Sequence, residues 1–500
     1  MSAPRTLGVV GAGTMGAGIA QVGAGAGMRT LLHDPIPDAL AGGLERARAG
    51  LRKWAERGRE VDESLLKAAR SLEELSGSEL VIEAAPERLE LKRELFEGLS
   101  EACRDAVLAS NTSSIPVTSI ASAAAKPENV VGMHFFNPAP LMQLVEVIPA
   151  DQTSEHALAT ARAAGEAMGK RVIDATDGPG FLVNRCGRPF YTEALRLLQE
   201  RVATHEQIDR ICRLGGGFRM GPFELMDLVG IDVGLEVAKS FTELSFGEPR
   251  WRPNPIQARM VAAGRLGRKS GRGYYDYSED SYRPEDPDPP EPGGGDGRSI
   301  QIRGRGPVAD GLRERGRAAG FALTDDPGAA EAIVDAGPQL SKGVYLGRGQ
   351  LLAVLCASAG VGTFHRLGAV GFEAVAPLGR LVELTGERRE DADGLFRALG
   401  FHTEWVGDAP GLVLGRIVSQ LVNEAAFAIG EGVGSPEDVD AGLTLGLNYP
   451  RGPVQWCSEL GMEHVLAVID GLWEERHEER YRAAPLLRRA ASLGEWPPRT

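Results

Sequence analysis

The stretch "TLGVVGAGTMGAGIAQVGAGAGMRTLLHDP" (residues 6–35) decides the fold. A short apolar run enters a glycine turn, continues as a small-residue helix, and is followed by a second apolar run closed by an acid. Gly11, Gly13 and Gly16 supply the GxGxxG spacing. Gly11 makes the tight turn, Gly13 lets a pyrophosphate approach the backbone, and Gly16 allows close helix packing. The helix N-terminus beyond the turn favours phosphate charge. Asp34 closes the second strand, where a carboxylate accepts hydrogen bonds from an adenosine ribose and repels a 2′-phosphate, so the pattern favours NAD over NADP. A ligand-free strand–helix turn can also carry such glycines; the flanking strands and the terminal acid favour the dinucleotide.

Further along, polar residues sit where apolar strands end. "NVVGMHFF" (129–136) is broken by Asn137-Pro138, which puts His134 at the C-terminal edge, where open α/β sheets bind ligands. Glu146 lies inside "QLVEVI" (143–148), where an unpaired carboxylate is costly. A His134–Glu146 pair satisfies it and fixes the imidazole tautomer for general-base work; a buried pair serving stability alone fits the same residues. "ASNTSSI" (109–115) follows another strand and offers either hydrogen bonds to a substrate oxygen or ordinary turn and cap chemistry. Asn184, in "GFLVNR", is equally open.

Five hundred residues suggest about three to four domains. A composition 43% apolar and 25% charged is that of a globular protein, and a formal charge of −14 argues against nucleic-acid or anionic-membrane partners. Cysteines 103, 186, 212, 356 and 457 show no CxxC spacing and read as reduced thiols rather than metal ligands. The strand pattern begins almost at residue 1, leaving no room for a signal peptide, and "LLAVLCASAGVG" (351–362) is too short to cross a membrane. A cytoplasmic location is expected.

The chain also repeats itself. "PGFLVNR" (179–185) recurs as "PGLVLGR" (410–416), "THEQID" (204–209) as "SPEDVD" (435–440), and "GPFELMDLVG" (221–230) as "GPVQWCSELG" (452–461). The offsets 410 − 179, 435 − 204 and 452 − 221 are all 231, which marks a duplication. Weaker echoes link "GAGTMGAGIA" (11–20) to "GRGPVADGLR" (304–313) and "VIEAAP" (81–86) to "IVDAGP" (333–338). "GMHFFNPAPLMQLVEVIP" (132–149) answers to "GAVGFEAVAPLGRLVELT" (368–385). Aligning Glu146 with Glu383 puts Gly371 in the place of His134, and the fixed offset puts Gly415 in the place of Asn184. The reading is therefore a Rossmann-type α/β domain (1–180), an all-α domain (181–277), a Pro/Gly/Asp-rich linker (278–299), a degenerate α/β remnant (300–409) and a second all-α domain (410–500).

Together, "GAGTMGAGIAQ", "VIEAAPERLELKRELF" (81–96), "ASNTSSI", "GMHFFNPAPLMQLVEVI" and "DGPGFLVNR" resemble the 3-hydroxyacyl-CoA dehydrogenase family over about residues 5–277. The duplicated second half looks like the longer bacterial members, including those of phenylacetate catabolism that handle 3-hydroxyadipyl-CoA. The resemblance implies NAD as cofactor and His134 as general base, oriented by Glu146. It implies Ser113 and Asn184 as hydrogen-bonding partners of the reacting oxygen, with Glu87 and Lys92 near the cofactor. The insertion after Asp34 matches a CoA-contacting helical arm, whose "LERARAGLRKWAERGRE" (44–60) carries Arg46, Arg48, Arg52, Lys53, Arg57 and Arg59. Glu45 and Gly50 stand where relatives can carry Lys and Ser. The expected substrate is a short-chain or dicarboxylic (S)-3-hydroxyacyl-CoA, such as 3-hydroxybutyryl- or 3-hydroxyadipyl-CoA. The competing readings are a sister dehydrogenase of free hydroxy or sugar acids and a crystallin-like NAD-binding structural protein. The family's helical domain is a dimerisation surface, so the second copy is expected to act as an internal pseudo-dimer partner, with homo-oligomers also possible for the intact chain.

Overall fold

The computed structural model describes residues 2–279, 281–338, 349–362 and 368–496. Residue 280 of the expected linker and residues 497–500 of the second all-α domain lie outside that set, as do 339–348 and 363–367 of the second α/β portion. The chain forms two compact units, one of residues 1–185 with 432–447, the other of 186–431 with 448–500. Residues 432–447, expected in the second all-α domain, thus belong with the first unit. There, Arg171 Nη2 meets Asp438 Oδ1 at 3.3 Å.

The first unit is built on eight strands: β1 (Thr6–Val10), β2 (Arg29–His33), β3 (Leu66–Ala69), β4 (Leu80–Glu83), β5 (Val107–Ser110), β6 (Val130–Phe135), β7 (Leu144–Pro149) and β8 (Arg171–Asp174). Their order is β3-β2-β1-β4-β5-β6-β7-β8, parallel except for the β6–β7 pair. The central strands are apolar over most of their length because helices cover both faces, and β4, β5 and β6 are buried at every position. Their C-terminal ends carry Glu83, Ser110 and His134, three polar residues at one sheet edge.

The second unit contains β9 (Ser299–Arg303), β10 (Ala322–Leu323), β11 (Ala332–Asp335), β12 (Leu351–Leu355), β13 (Val370–Glu373), β14 (Leu381–Thr385) and β15 (His402–Trp405). They run in the order β10-β9-β11-β12-β13-β14-β15, antiparallel only between β13 and β14. This order repeats the first sheet without a counterpart of β3. The expected remnant is therefore a seven-stranded sheet; the short connection from Asp326 to Ile333 omits the long helix and β3.

Cross-strand register corrects one correspondence. His134 pairs with Glu146, whereas Glu383 pairs with Glu373. The counterpart of His134 is thus Glu373, not Gly371. Pro138 and Pro377 agree with this, each standing four places on (138 − 134 and 377 − 373). The turn of the copy is two residues shorter, since 383 − 373 is 10 and 146 − 134 is 12, and an ungapped alignment slips by that amount. Gly371 corresponds instead to Gly132. Both are glycines under tight packing: a Cβ would meet Cys356 Sγ at 2.4 Å in one case and Val117 Cγ2 at 2.8 Å in the other.

The expected linker is anchored. Arg283 bonds Glu224, and Asp286 takes two bonds from Arg213, both at 2.9 Å. The helical parts of this unit are joined by a buried ion cluster. Arg416, on the helix Leu414–Gly430, donates to Glu200 and to Tyr481 Oη at 2.7 Å each, and also to Glu193. Glu193 and Arg416 are both almost fully buried. Removing one partner strands the other charge, so Arg416→Ala is expected to cost about 3–5 kcal/mol, read as a lowered midpoint in urea denaturation. A loss below about 1 kcal/mol, the scale of a surface pair, would contradict this.

Candidate active site

The glycine turn shows why each glycine is needed. Gly11 has φ +96°, and a Cβ there would sit 2.7 Å from Ala84 O. At Gly16 a Cβ would fall 1.7 Å from Gly11 O, an impossible contact. At Gly13 nothing lies within 4 Å of the same position, so the backbone faces open space at the start of the helix Thr14–Gly25. Asp34 Oδ2 accepts from Ala12 N at 2.8 Å and Oδ1 from Ile36 N at 2.9 Å, which ties the acid to the turn. Arg46 donates to Ala12 O at 2.7 Å. The first-turn amides, the open cradle at Gly13 and the acid at the strand end fit a dinucleotide.

Glu87 organises the next loop. Its Oε1 accepts from Thr112 Oγ1 at 2.7 Å, Ser113 N at 2.8 Å and Ser114 N at 3.0 Å, and stands 3.2 Å from Ser113 Oγ. Lys92, wholly buried, donates to Glu83 at 2.8 and 3.0 Å and lies 3.4 Å from Glu87 Oε2. Glu83 also accepts from Ser110 Oγ at 2.6 Å. Burial resists ionisation of Glu87, but Lys92, Thr112 and the 113–114 loop outweigh it and hold its carboxyl below the usual range. Lys92 therefore acts beneath the loop rather than on its surface.

His134 and Glu146 face each other across β6 and β7, with Nδ1 2.6 Å from Oε2. The other carboxylate oxygen accepts from Leu182 N at 3.1 Å and Val183 N at 3.0 Å. Both amides open the helix Val183–Gln199, just after Phe181, which is held at φ +51°. Glu146 is fully buried, and the amides of Leu182 and Val183 donate to it. The Nδ1 bond leaves Nε2 for chemistry, and Phe136 lies against the ring at 4.6 Å. Asn184 follows Val183 directly, and its Nδ2 reaches Ser113 O at 3.5 Å. One string of polar groups thus runs from His134 through Glu146, Asn184 and Ser113 to Glu87.

The expected arm is the helix Pro37–Glu56. It packs on the helix Thr14–Gly25 and the turn before it: a Cβ at Gly50 would sit 2.0 Å from Gln21 Oε1, and one at Gly43 2.6 Å from Ala12 O. Lys53 and Arg57 are exposed and have no partner among the described residues, whereas Arg52 pairs with Glu45 and Glu63 and Arg59 covers Trp54. Three further residues emerge from the structure. Asn111 accepts from Phe135 N at 2.8 Å and fixes the end of β6. Asp177 accepts from Val117 N and Thr118 N at 2.9 and 2.8 Å. Lys170 donates to Ala139 O and Met142 O at 2.6 and 2.7 Å, and burial, with Arg59 nearby, lowers its pKa to about 8. Asn111 and Asp177 lie inside motifs already singled out; nothing in the sequence marked Lys170.

These features define a dinucleotide-dependent dehydrogenase of the doubly wound α/β class. The family description "3-hydroxyacyl-CoA dehydrogenase, NAD binding domain" matches residues 6–178, and "3-hydroxyacyl-CoA dehydrogenase, C-terminal domain" matches twice, over 180–277 and 411–500. The chain is 34% identical over 499 residues to the 3-hydroxyadipyl-CoA dehydrogenase of Escherichia coli (strain K12), covering 98% of each. It is 42% identical over 283 residues to the 3-hydroxybutyryl-CoA dehydrogenase of Mycobacterium tuberculosis (strain H37Rv), covering 55% of this chain and 98% of that one. The crystal structure of 3-hydroxybutyryl-CoA dehydrogenase from Escherichia coli K12 superposes with a TM-score of 0.82 at 33% identity, over 98% of both chains. The chain belongs to the 3-hydroxyacyl-CoA dehydrogenase family: it is an oxidoreductase, and NAD is its cofactor. None of its described helices is long and apolar enough to cross a membrane.

Gly16→Val, which drives a side chain into Gly11 O, is expected to abolish NADH binding as read by the cofactor's fluorescence; retained affinity would contradict the packing role. Because the Glu87 carboxyl is depressed in the folded state, its contribution to stability is complete above the ordinary carboxylate range and is lost as pH falls through the folded value. The stability gap between wild type and Glu87→Gln should accordingly be widest near neutrality and shrink in acid. A gap independent of pH would show that Glu87 acts by shape alone.

Proposed function

We propose that the chain oxidises the 3-hydroxyl of an (S)-3-hydroxyacyl-CoA to the 3-oxo group, reversibly, at a single site in its first half. The observation that carries this reading is the His134–Glu146 pair at 2.6 Å, with the second Glu146 oxygen held by two backbone amides. Glu146 accepts a hydrogen bond from Nδ1–H, so the neutral imidazole keeps its proton on Nδ1 and presents a bare Nε2. Nε2 then takes the hydroxyl proton as the C–O bond gains double-bond character. Ser113 and Asn184 hold the reacting oxygen by hydrogen bonds. NAD, held by the Gly11–Gly16 turn and Asp34, supplies the hydride acceptor. Glu87 and Lys92 keep the 112–114 loop in place for it, and Lys53 and Arg57 offer charge to the phosphates of CoA.

A short-chain or dicarboxylic acyl group is the substrate class, supported by the relatives named for 3-hydroxyadipyl-CoA and 3-hydroxybutyryl-CoA. The phenylacetate route and a cytoplasmic setting belong to the same reading. The domain plan is 1–180, 181–277, 278–299, 300–409 and 410–500, the α/β copy having lost its catalytic function. The second helical domain serves as an internal pseudo-dimer partner of the first, a role supported by the Arg416 cluster and by Arg250–Glu424 at 2.8 Å.

General-base catalysis contributes ~10²–10⁴ in rate, so His134→Ala should lose turnover on that scale while NADH affinity stays near wild type. Unchanged turnover would overturn the assignment. A kinetic panel of 3-hydroxybutyryl-, longer 3-hydroxyacyl- and 3-hydroxyadipyl-CoA against free hydroxy acids, with NAD and NADP, should favour one of the short or dicarboxylic thioesters with NAD; a free acid preferred would reject the substrate class. A truncation after residue 298 should be unstable or should dimerise, and a stable monomer would remove the pseudo-dimer role.

A further inference from the structure

The second unit has a crevice at the C-terminal edge of its own sheet. It encloses about 490 Å³, within the range of small-molecule sites. One wall is the turn Gly304-Arg305-Gly306, leading into the helix Pro307–Ala318; the other is the junction of the helices Pro453–Leu460 and Met462–Arg476. The turn resembles the first at two glycines, although Gly306 has φ +103° where Gly13 has −65° and Ala309 stands where the third glycine does. Gly304 has φ +93°, and a Cβ there would lie 2.6 Å from Gly337 N, as one at Gly11 would crowd Ala84. At Gly306, as at Gly13, nothing lies within 4 Å. The cradle for an anion is therefore open a second time.

An independent observation points the same way. His464, only 4% exposed, forms part of the cavity wall, and its Nε2 makes no hydrogen bond among the described residues, its ion-pair contact with Glu373 Oε1 at 3.3 Å lacking hydrogen-bond geometry. Both Glu373 oxygens are likewise unsatisfied although the residue is buried. Trp496, partly exposed at the rim, has an Nε1 with no hydrogen-bond partner among the described residues. A buried imidazole nitrogen and a buried indole N–H that make no hydrogen bond are costly unless a ligand or water satisfies them. The histidine–glutamate pair across the strands of the first sheet is not repeated here. The place of His134 is taken by Glu373, whose facing residue is the buried Glu383, itself held by Val413 N and Leu414 N at 2.7 and 2.9 Å.

We propose that this crevice is a second, non-catalytic ligand site that binds a nucleoside diphosphate. Arg305 and the first-turn amides of Val308 and Ala309 meet the phosphates. The apolar surface of Leu460, Met462 and Trp496 takes the base, and Glu463 and Glu495 are acceptors for ribose hydroxyls. The copy lacks the long helix after Asp34, so acyl-CoA has no basic arm here. The site stands apart from the proposed reaction, and its failure would leave the His134 assignment untouched.

The test is the stoichiometry of ADP binding to the full chain by equilibrium dialysis. Arg305→Glu reverses the exposed cation, and Ser458→Trp puts bulk into the cavity from an exposed position. Wild type is expected to bind two ADP per chain, one at each glycine turn, and each variant is expected to lose one equivalent with an unchanged thermal melt. A wild-type stoichiometry retained by both folded variants would overturn the proposal.

Discussion

A carboxylate buried at the sheet edge needs donors, and the site grows from how Glu146 finds them. Outside water, its two oxygens cost several kcal/mol unless every lone pair is met (~2–7 kcal/mol for an unbonded polar group). His134 Nδ1 satisfies one oxygen, and the amides of Leu182 and Val183 satisfy the other. This arrangement fixes three things at once: the imidazole tautomer, the start of the helix Val183–Gln199, and with it the position of Asn184. Phe181 is held at positive φ at the same point, a local strain of ~1–3 kcal/mol.

The second half shows what happens when the same frame is kept and one donor is lost. Glu383 still receives two helix-start amides, at Val413 and Leu414, and Leu412 repeats the positive φ of Phe181. The numbers 412, 413 and 414 are 181, 182 and 183 plus the repeat offset of 231. The third donor is gone, because Glu373 stands where His134 does. Two facing carboxyls cannot both ionise in such a place, and burial pushes the Glu383 carboxyl well up. The frame is kept where the histidine–glutamate pair is not, because the frame is a packing solution.

Much of this was legible in the sequence. GxGxxG between two apolar runs gave the first sheet's turn, the polar residues ending apolar strands gave His134 and Ser113, and a fixed offset gave the duplication. The matches failed where spacing changed: the turn after Glu373 is two residues shorter, so anchoring on "LVE" selected Gly371. The completeness of the second sheet was hidden because β10 is two residues long and its neighbours share little identity with the first copy. Arg46 reads as one more base on a helix, yet it reaches the glycine turn, and Lys170 bonds only main-chain carbonyls, for which no side-chain pattern exists.

The account stands on the tautomer that Glu146 imposes on His134. Nitrogen-15 NMR of the histidine-labelled protein, assigned with His134→Gln, measures it directly. The neutral ring should show a proton on Nδ1 and a bare Nε2, and Glu146→Gln should disturb that preference. A neutral His134 carrying its proton on Nε2 would contradict the account at its base.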